Sequence, residues 1–156
     1  IQIMIKVSVF SEEKAWSKKI ENIDLFFKKI CKAFPKKYKF SNKKISLSLL
    51  LSNNRNIKKL NKHFRNKNKS TDILSFPFNK KIKISKNTYL GDIIISYNYL
   101  DKPKSRDLVL FKQKVIKLFI HGFLHLLGFN HIKNKDYFKM LREENFIYKH
   151  VKSKIN

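Results

Sequence analysis

Three of the chain's five histidines fall within one eleven-residue string, HGFLHLLGFNH, from His121 to His131. His121 and His125 are four residues apart in a run of helical character, so their imidazoles project from the same helix face. A third ligand one turn further on would lie too far along the axis, so the chain must turn back. Gly128 stands where a left-handed C-cap would end the helix. His131 follows Phe129 and Asn130, close enough to swing over the other two. Three neutral nitrogens leave the fourth place of a tetrahedral zinc open to water, the arrangement of a catalytic rather than a structural ion. Zinc lowers the pKa of such a water from about 15.7 to about 7, which suits hydrolysis. Imidazole also accommodates copper, nickel or iron; the open-site logic and availability favour zinc. Two histidines four apart on an apolar helix are more often satisfied core side chains. Three of them beside a turning glycine are different, because unpaired imidazoles in so apolar a helix would be costly to bury.

The elements that must position this string follow from periodicity. Residues 1 to 10 alternate like a strand, with Ile3, Ile5, Val7 and Val9 on one face. Ser11 is placed to cap a following helix, with Glu12 and Glu13 in its first turn. Trp16, Ile20, Ile23, Phe27, Ile30 and Phe34 recur at steps of three and four and predict one amphipathic helix that stops at Pro35. Ile45, Leu47 and Leu49 alternate with serines as a second strand. After the Asn53-Asn54 turn signal, Ile57, Leu60 and Phe64 mark a short helix. Thr71 to Phe76, closed by Pro77, and Tyr89 to Ser96 are the third and fourth strands, joined by the basic segment NKKIKISKN. Leu108 to Leu127 predicts a central buried helix carrying the first two histidines. Met140, Leu141, Glu144 and Ile147 suggest a last helix. The order is that of an α+β domain, one small sheet with helices packed on it.

Composition narrows the class. The chain of 156 residues is expected to form a single domain over 1–156, with a basic tail from about residue 149 that frays. A net charge of +25, from 36 Lys and Arg against 11 acids, would draw in polyanions with strong salt dependence. Codon bias towards Lys, Asn, Ile and Phe supplies a competing account of the lysines. Cys31 is the single cysteine, so no internal disulfide forms, and its place in an apolar stripe predicts an inert buried thiol in a reducing compartment. No apolar run approaches the roughly 20 residues that span a bilayer, and the first ten residues lack a signal-peptide layout. A cytoplasmic protein without membrane contact is expected. The chain begins at Ile1, and Met4 is a candidate start.

The histidine string is similar to the long motif of the zincin family, in which glutamate follows the first histidine. Gly122 holds that place here, so the general base of peptide hydrolysis is missing. The string resembles far more closely the signature of the YbeY family of bacterial endoribonucleases and rRNA maturation factors, His-Gly-x-Leu-His-Leu-x-Gly-x-Asp-His. Every fixed position is matched except the aspartate, which is Asn130. LNKHFRNKNKSTDILSFPF, from Leu60 to Phe78, and GDIIIS, from Gly91 to Ser96, resemble two further blocks of that family. All three glycines of the chain, Gly91, Gly122 and Gly128, sit inside these blocks. The resemblance spans roughly residues 5 to 148. It implies a four-stranded mixed sheet with a zincin-like metal helix, and one Zn2+ per chain on His121, His125 and His131. It also implies metal-dependent cleavage of single-stranded RNA, maturation of the 3′ end of the small-subunit ribosomal RNA, and ribosome quality control. Proteins of the small ribosomal subunit or an assembly GTPase are the companions it implies.

Arg65 matches an arginine of functional importance in that family. A guanidinium there would grip a phosphate bidentately; the alternative is a structural ion pair with Asp72. Asp72 itself would cap a turn or support a metal ligand, and the structural role is favoured. His63 is a candidate proton shuttle, though a solvent-facing histidine is the simpler account. His150 is expected to be uninvolved. Asn130 keeps a carbonyl acceptor for a ligand imidazole but lacks the charge of an aspartate, so somewhat weaker metal affinity is expected. The motif contains no general base. Two functions remain open at this point: a zinc-dependent endoribonuclease, or an RNA- or ribosome-binding assembly factor whose metal is mainly structural.

Overall fold

The computed structural model describes residues 5–102 and 107–155. Four strands form one sheet: β1 (Lys6–Ser11), β2 (Lys44–Ser52), β3 (Ile73–Pro77) and β4 (Asn87–Ser96). Their spatial order is β1-β2-β4-β3, with β2 parallel to both β1 and β4 and β3 antiparallel to β4. The sheet is therefore mixed and four-stranded, as the resemblance implies. Among the described residues the α-helices packed around it are α1 (Ala15–Lys19), α2 (Ile23–Lys32), α3 (Asn54–Arg65), α4 (Tyr97–Leu100), α5 (Leu108–Leu126) and α6 (Asn134–Lys152).

Strand alternation sorts the helices onto two faces. Ile93 and Ile95 join a large cluster with Phe27 and Ile30 of α2 and Phe119 and Phe123 of α5. Ile94, between them, packs instead with Leu74 of β3 and Ile57 of α3. So α2 and α5 cover one face and α3 the other. Trp16, Phe27, Phe34, Phe119 and Phe123 are fully buried on the α5 side, each contributing about 2–3 kcal/mol through the hydrophobic effect. The Trp16 indole N–H donates to the Ser52 carbonyl at 3.0 Å, so its polar atom is satisfied.

Several boundaries differ from those read in the sequence. The helix predicted from Trp16 to Phe34 is broken, because the Asn22 side chain caps α2 by accepting from the Leu25 N–H at 3.1 Å. Its apolar stripe survives the break: Trp16, Ile20, Phe27, Ile30 and Phe34 are all buried. Ser11 is not a helix cap, since its backbone pairs with Leu51 as the end of β1. Asn53 is more than a turn residue and caps α3 by accepting from the Asn56 N–H at 2.9 Å. The short α4 has no counterpart in the sequence reading. The tail expected to fray from about residue 149 is helical to Lys152, because Val151 is fully buried. Ile3 and Met4 lie outside the described residues. Cys31 is buried, and burial pushes its thiol up to about 12, which leaves it inert.

The helix that carries the histidines is held in three ways. At Gly122, a Cβ would stand 2.9 Å from Ile73 Cδ1 and 3.1 Å from both Ile93 Cγ2 and Ser75 Oγ, so α5 rides directly on β3 and β4. At its end, the Phe129 N–H donates to the Leu124 carbonyl at 3.0 Å and the Gly128 N–H to the His125 carbonyl at 3.0 Å. That pair of bonds is a Schellman motif, with Gly128 at φ +99°. Along its side runs α6, whose buried Met140, Ile147 and Val151 join the large cluster. Glu143 ties α6 to the short 3-10 turn Lys36–Tyr38, accepting hydrogen bonds from Lys37 Nζ and Tyr38 Oη.

Two expectations follow from these attachments. Nothing lies within 4 Å of a Cβ at Gly128, so Gly128→Ala meets backbone strain alone and should cost about 1–2 kcal/mol in urea unfolding. Burial opposes ionisation of Glu143, but the hydrogen bonds from Lys37 and Tyr38 outweigh it and hold the carboxyl below its ordinary range. The unfolded chain therefore takes up this proton more readily, and the stabilisation is complete above the ordinary value of 4.5 and fades as pH falls through the depressed native value. Glu143→Gln should thus lose about 1 kcal/mol at neutral pH and show a smaller deficit near pH 3. An equal deficit at both pH values would contradict this.

Candidate metal centre

The three histidines converge. His121 and His125 lie one turn apart on α5, and His131 is delivered by the turn between α5 and α6. One ring nitrogen from each lies within 4.8 Å of the others, and among the described residues no fourth His, Cys, Asp or Glu belongs to the group. Ring centroids are 4.6 Å apart for His121 and His125, 5.1 Å for His125 and His131, and 5.6 Å for His121 and His131. His121 and His125 are half-buried, whereas His131 is exposed. The group thus opens to solvent on the side of the turn.

Hydrogen bonds orient two of the rings. His125 Nδ1 lies 2.9 Å from the Phe129 carbonyl, which can only accept, so Nδ1 carries the hydrogen and Nε2 is left free. The Schellman turn that ends α5 supplies this acceptor, since Phe129 is its last residue. His121 Nδ1 contacts a Glu144 carboxylate oxygen in the same manner. The two Nε2 atoms then face each other at 3.0 Å. With both Nδ1 hydrogens committed, two lone pairs at that separation repel unless a proton or a cation sits between them. Burial lowers the pKa of His125, the neighbouring His121 lowers it further, and the bond to Phe129 only partly offsets this. The ring is thereby kept in the neutral form that metal ions require. By the chemistry of its donors, the group fits a borderline ion such as a divalent transition metal.

The other expected residues are placed less closely. Gly122 and Gly128 frame the site as packing contact and turn. The Asn130 side chain accepts from the Ile132 N–H at 3.4 Å and contacts no imidazole, so the acceptor role considered for it falls to Phe129 and Glu144. Asp72 is built into the sheet end: its carbonyl accepts from the Ser96 N–H at 2.9 Å and its carboxylate accepts from the Thr71 hydroxyl at 3.3 Å. Arg65 is the exposed last residue of α3, on the face of β3 opposite α5, and is paired with neither Asp72 nor the histidines. Buried Asn61 shapes the loop after Arg65, its Nδ2 donating to the Lys69 carbonyl at 2.8 Å. His63 is exposed against Phe64. His150 is bonded within α6 to the Phe146 carbonyl at 3.0 Å.

Glu144 is the residue that the sequence reading passed over, noting it only as part of a helix. A signal was present. Met140, Glu144, Ile147 and Val151 share one stripe of α6, and the other three are buried. A charge at a core-facing position persists only with a partner.

The comparisons agree with this geometry. The family model described as Endoribonuclease YbeY matches residues 9–152. The Endoribonuclease YbeY of Pelagibacter ubique is 62% identical over 152 residues, 97% of this chain and 99% of its own length. That of Ehrlichia chaffeensis is 34% identical over 128 residues, 82% of this chain and 80% of its own. The solution structure of TM1509 from Thermotoga maritima shares the fold, with a TM-score of 0.56 at 23% identity over 95% of this chain and 89% of that one. A histidine cluster built on the family's own motif, in a chain matched almost end to end, leaves one assignment: this protein belongs to the YbeY endoribonuclease family.

Proposed function

We propose that the chain is a zinc-dependent endoribonuclease that hydrolyses phosphodiester bonds in single-stranded RNA. The observation that carries this is the convergence of three imidazole donors, with no fourth His, Cys, Asp or Glu in the group among the described residues, in a chain of this family. One Zn2+ on His121, His125 and His131 would supply Lewis acidity towards a phosphoryl oxygen and acidify water at neutral pH. The protein's own part is to aim two of the imidazoles, through Phe129 and Glu144, while burial favours the neutral form of His125. Arg65 would bind a phosphate of the same strand from beyond β3, as a positioning contact. The charge of +25 favours association with RNA and makes it salt-dependent. The substrate we assign is ribosomal RNA in the cytoplasm, at the 3′ end of the small-subunit RNA, with a role in ribosome quality control. Small-subunit proteins or an assembly GTPase would bring enzyme and RNA together.

A second reading is an RNA- or ribosome-binding assembly factor whose metal is mainly structural. It is favoured by the absence of a free carboxylate in the group, since Glu144 is engaged with His121.

Cleavage of a single-stranded RNA by purified protein separates the two. Chelation should abolish cleavage, added Zn2+ should restore it, and His125→Ala should reduce it by at least about a hundredfold. Cleavage that survives in His125→Ala would end the enzyme reading. Arg65→Ala should weaken RNA binding or raise KM by about tenfold, with Arg65→Lys recovering only part because it cannot make the two parallel bonds. Unchanged binding and kinetics in Arg65→Ala would remove the phosphate role.

A further inference from the structure

We infer that Glu144 is a positioning residue for the metal centre: its carboxylate accepts the Nδ1–H of His121 and so aims that ring's Nε2 at the other two histidines. The inference rests on the metal-centre reading and adds to it a group from another helix, outside the histidine motif. Four observations converge. First, the contact is made at Nδ1, while Nε2 of the same ring faces His125 Nε2 at 3.0 Å. The carboxylate therefore stands behind the ligand and is not a fourth donor, in agreement with its exclusion from the converging group. Second, the ion pairs among the described residues give Glu144 no lysine or arginine partner, in a chain with 36 of them. An ordinary surface glutamate in such a chain would have cations at hand.

Third, the adjacent Glu143 is spent on Lys37 and Tyr38, so neighbouring carboxylates on α6 serve different purposes. One holds the helix to the body of the protein; the other reaches His121. Fourth, both side chains of the pair are only partly exposed, 28% for His121 and 24% for Glu144. Water therefore competes less for the bond than at an open surface. A carboxylate behind an imidazole fixes its tautomer and ring orientation, and losing such a partner commonly weakens metal affinity by about 10- to 100-fold. The two α5 ligands thus have unlike supports. His125 is set by a backbone carbonyl of its own helix end, and His121 by a charge from α6.

The test compares the parent protein with Glu144→Ala, the near-isosteric Glu144→Gln and, as a control for α6 docking, Glu143→Gln. Two readouts are taken: Zn2+ affinity by chelator competition, and the His121 tautomer by 15N–1H correlation of the imidazoles in metal-free protein. Glu144→Ala should bind Zn2+ about 10- to 100-fold more weakly and lose the Nδ1–H tautomer of His121. Glu144→Gln should keep the tautomer and recover part of the affinity, and Glu143→Gln should leave both readouts at parent values. A Glu144→Ala protein with parent affinity and parent tautomer overturns the inference. Should the parent bind no Zn2+, the metal-centre reading fails, and the tautomer in metal-free protein still decides whether Glu144 sets His121.

Discussion

Two imidazole nitrogens that face each other at 3.0 Å, each on a ring whose other nitrogen is already engaged, form the constraint around which this protein is arranged. Such a pair is unfavourable without a positive charge between them. The fold keeps it by making every alternative worse. His125 cannot turn without leaving the Phe129 carbonyl of a closed Schellman turn, and His121 cannot turn without stranding a partly buried carboxylate. Two hydrogen bonds thus fix both rings in one arrangement.

That arrangement needs a rigid carrier, and α5 is one. It is buried along Phe111, Val115, Phe119, Ile120 and Phe123, and at Gly122 its backbone packs closely on the Ile73 and Ser75 side chains of β3 and Ile93 of β4. The same contact opposes a larger side chain at position 122, where even a Cβ would press on Ile73, Ile93 and Ser75. The solvent opening on the His131 side remains for a long polymer substrate, which a closed pocket would not admit.

The charge of the chain works at longer range. It cannot choose a bond to cut, but it raises the local concentration of any polyanion. Under the proposed function, selection of a site falls to groups that the fold places around the histidines. The division is between an unspecific field and a few aimed groups, and only the aimed groups depend on the fold.

Much of this was readable from residues in order. The spacing of His121 and His125, Gly128 at the turn and His131 beyond it specify a local structure, because helix pitch and left-handed backbone are properties of a few neighbouring residues. The long apolar run of α5 and the alternation in β2 and β4 were legible for the same reason. Other features needed the tertiary structure. The break at Asn22 depends on whether a side chain caps or continues a helix, which propensity leaves balanced. The partition of α3 and α5 between sheet faces depends on pairing partners distant in the chain. Glu144 stands 23 residues from His121, a separation with no fixed meaning in sequence, and only the packing of α6 along α5 brings its carboxylate to Nδ1. Sequence alone determined which three imidazoles meet, since a single turn joins them. Long-range packing decided what stands behind them, because hydrogen bonds between separate helices are set by how those helices bury their apolar faces.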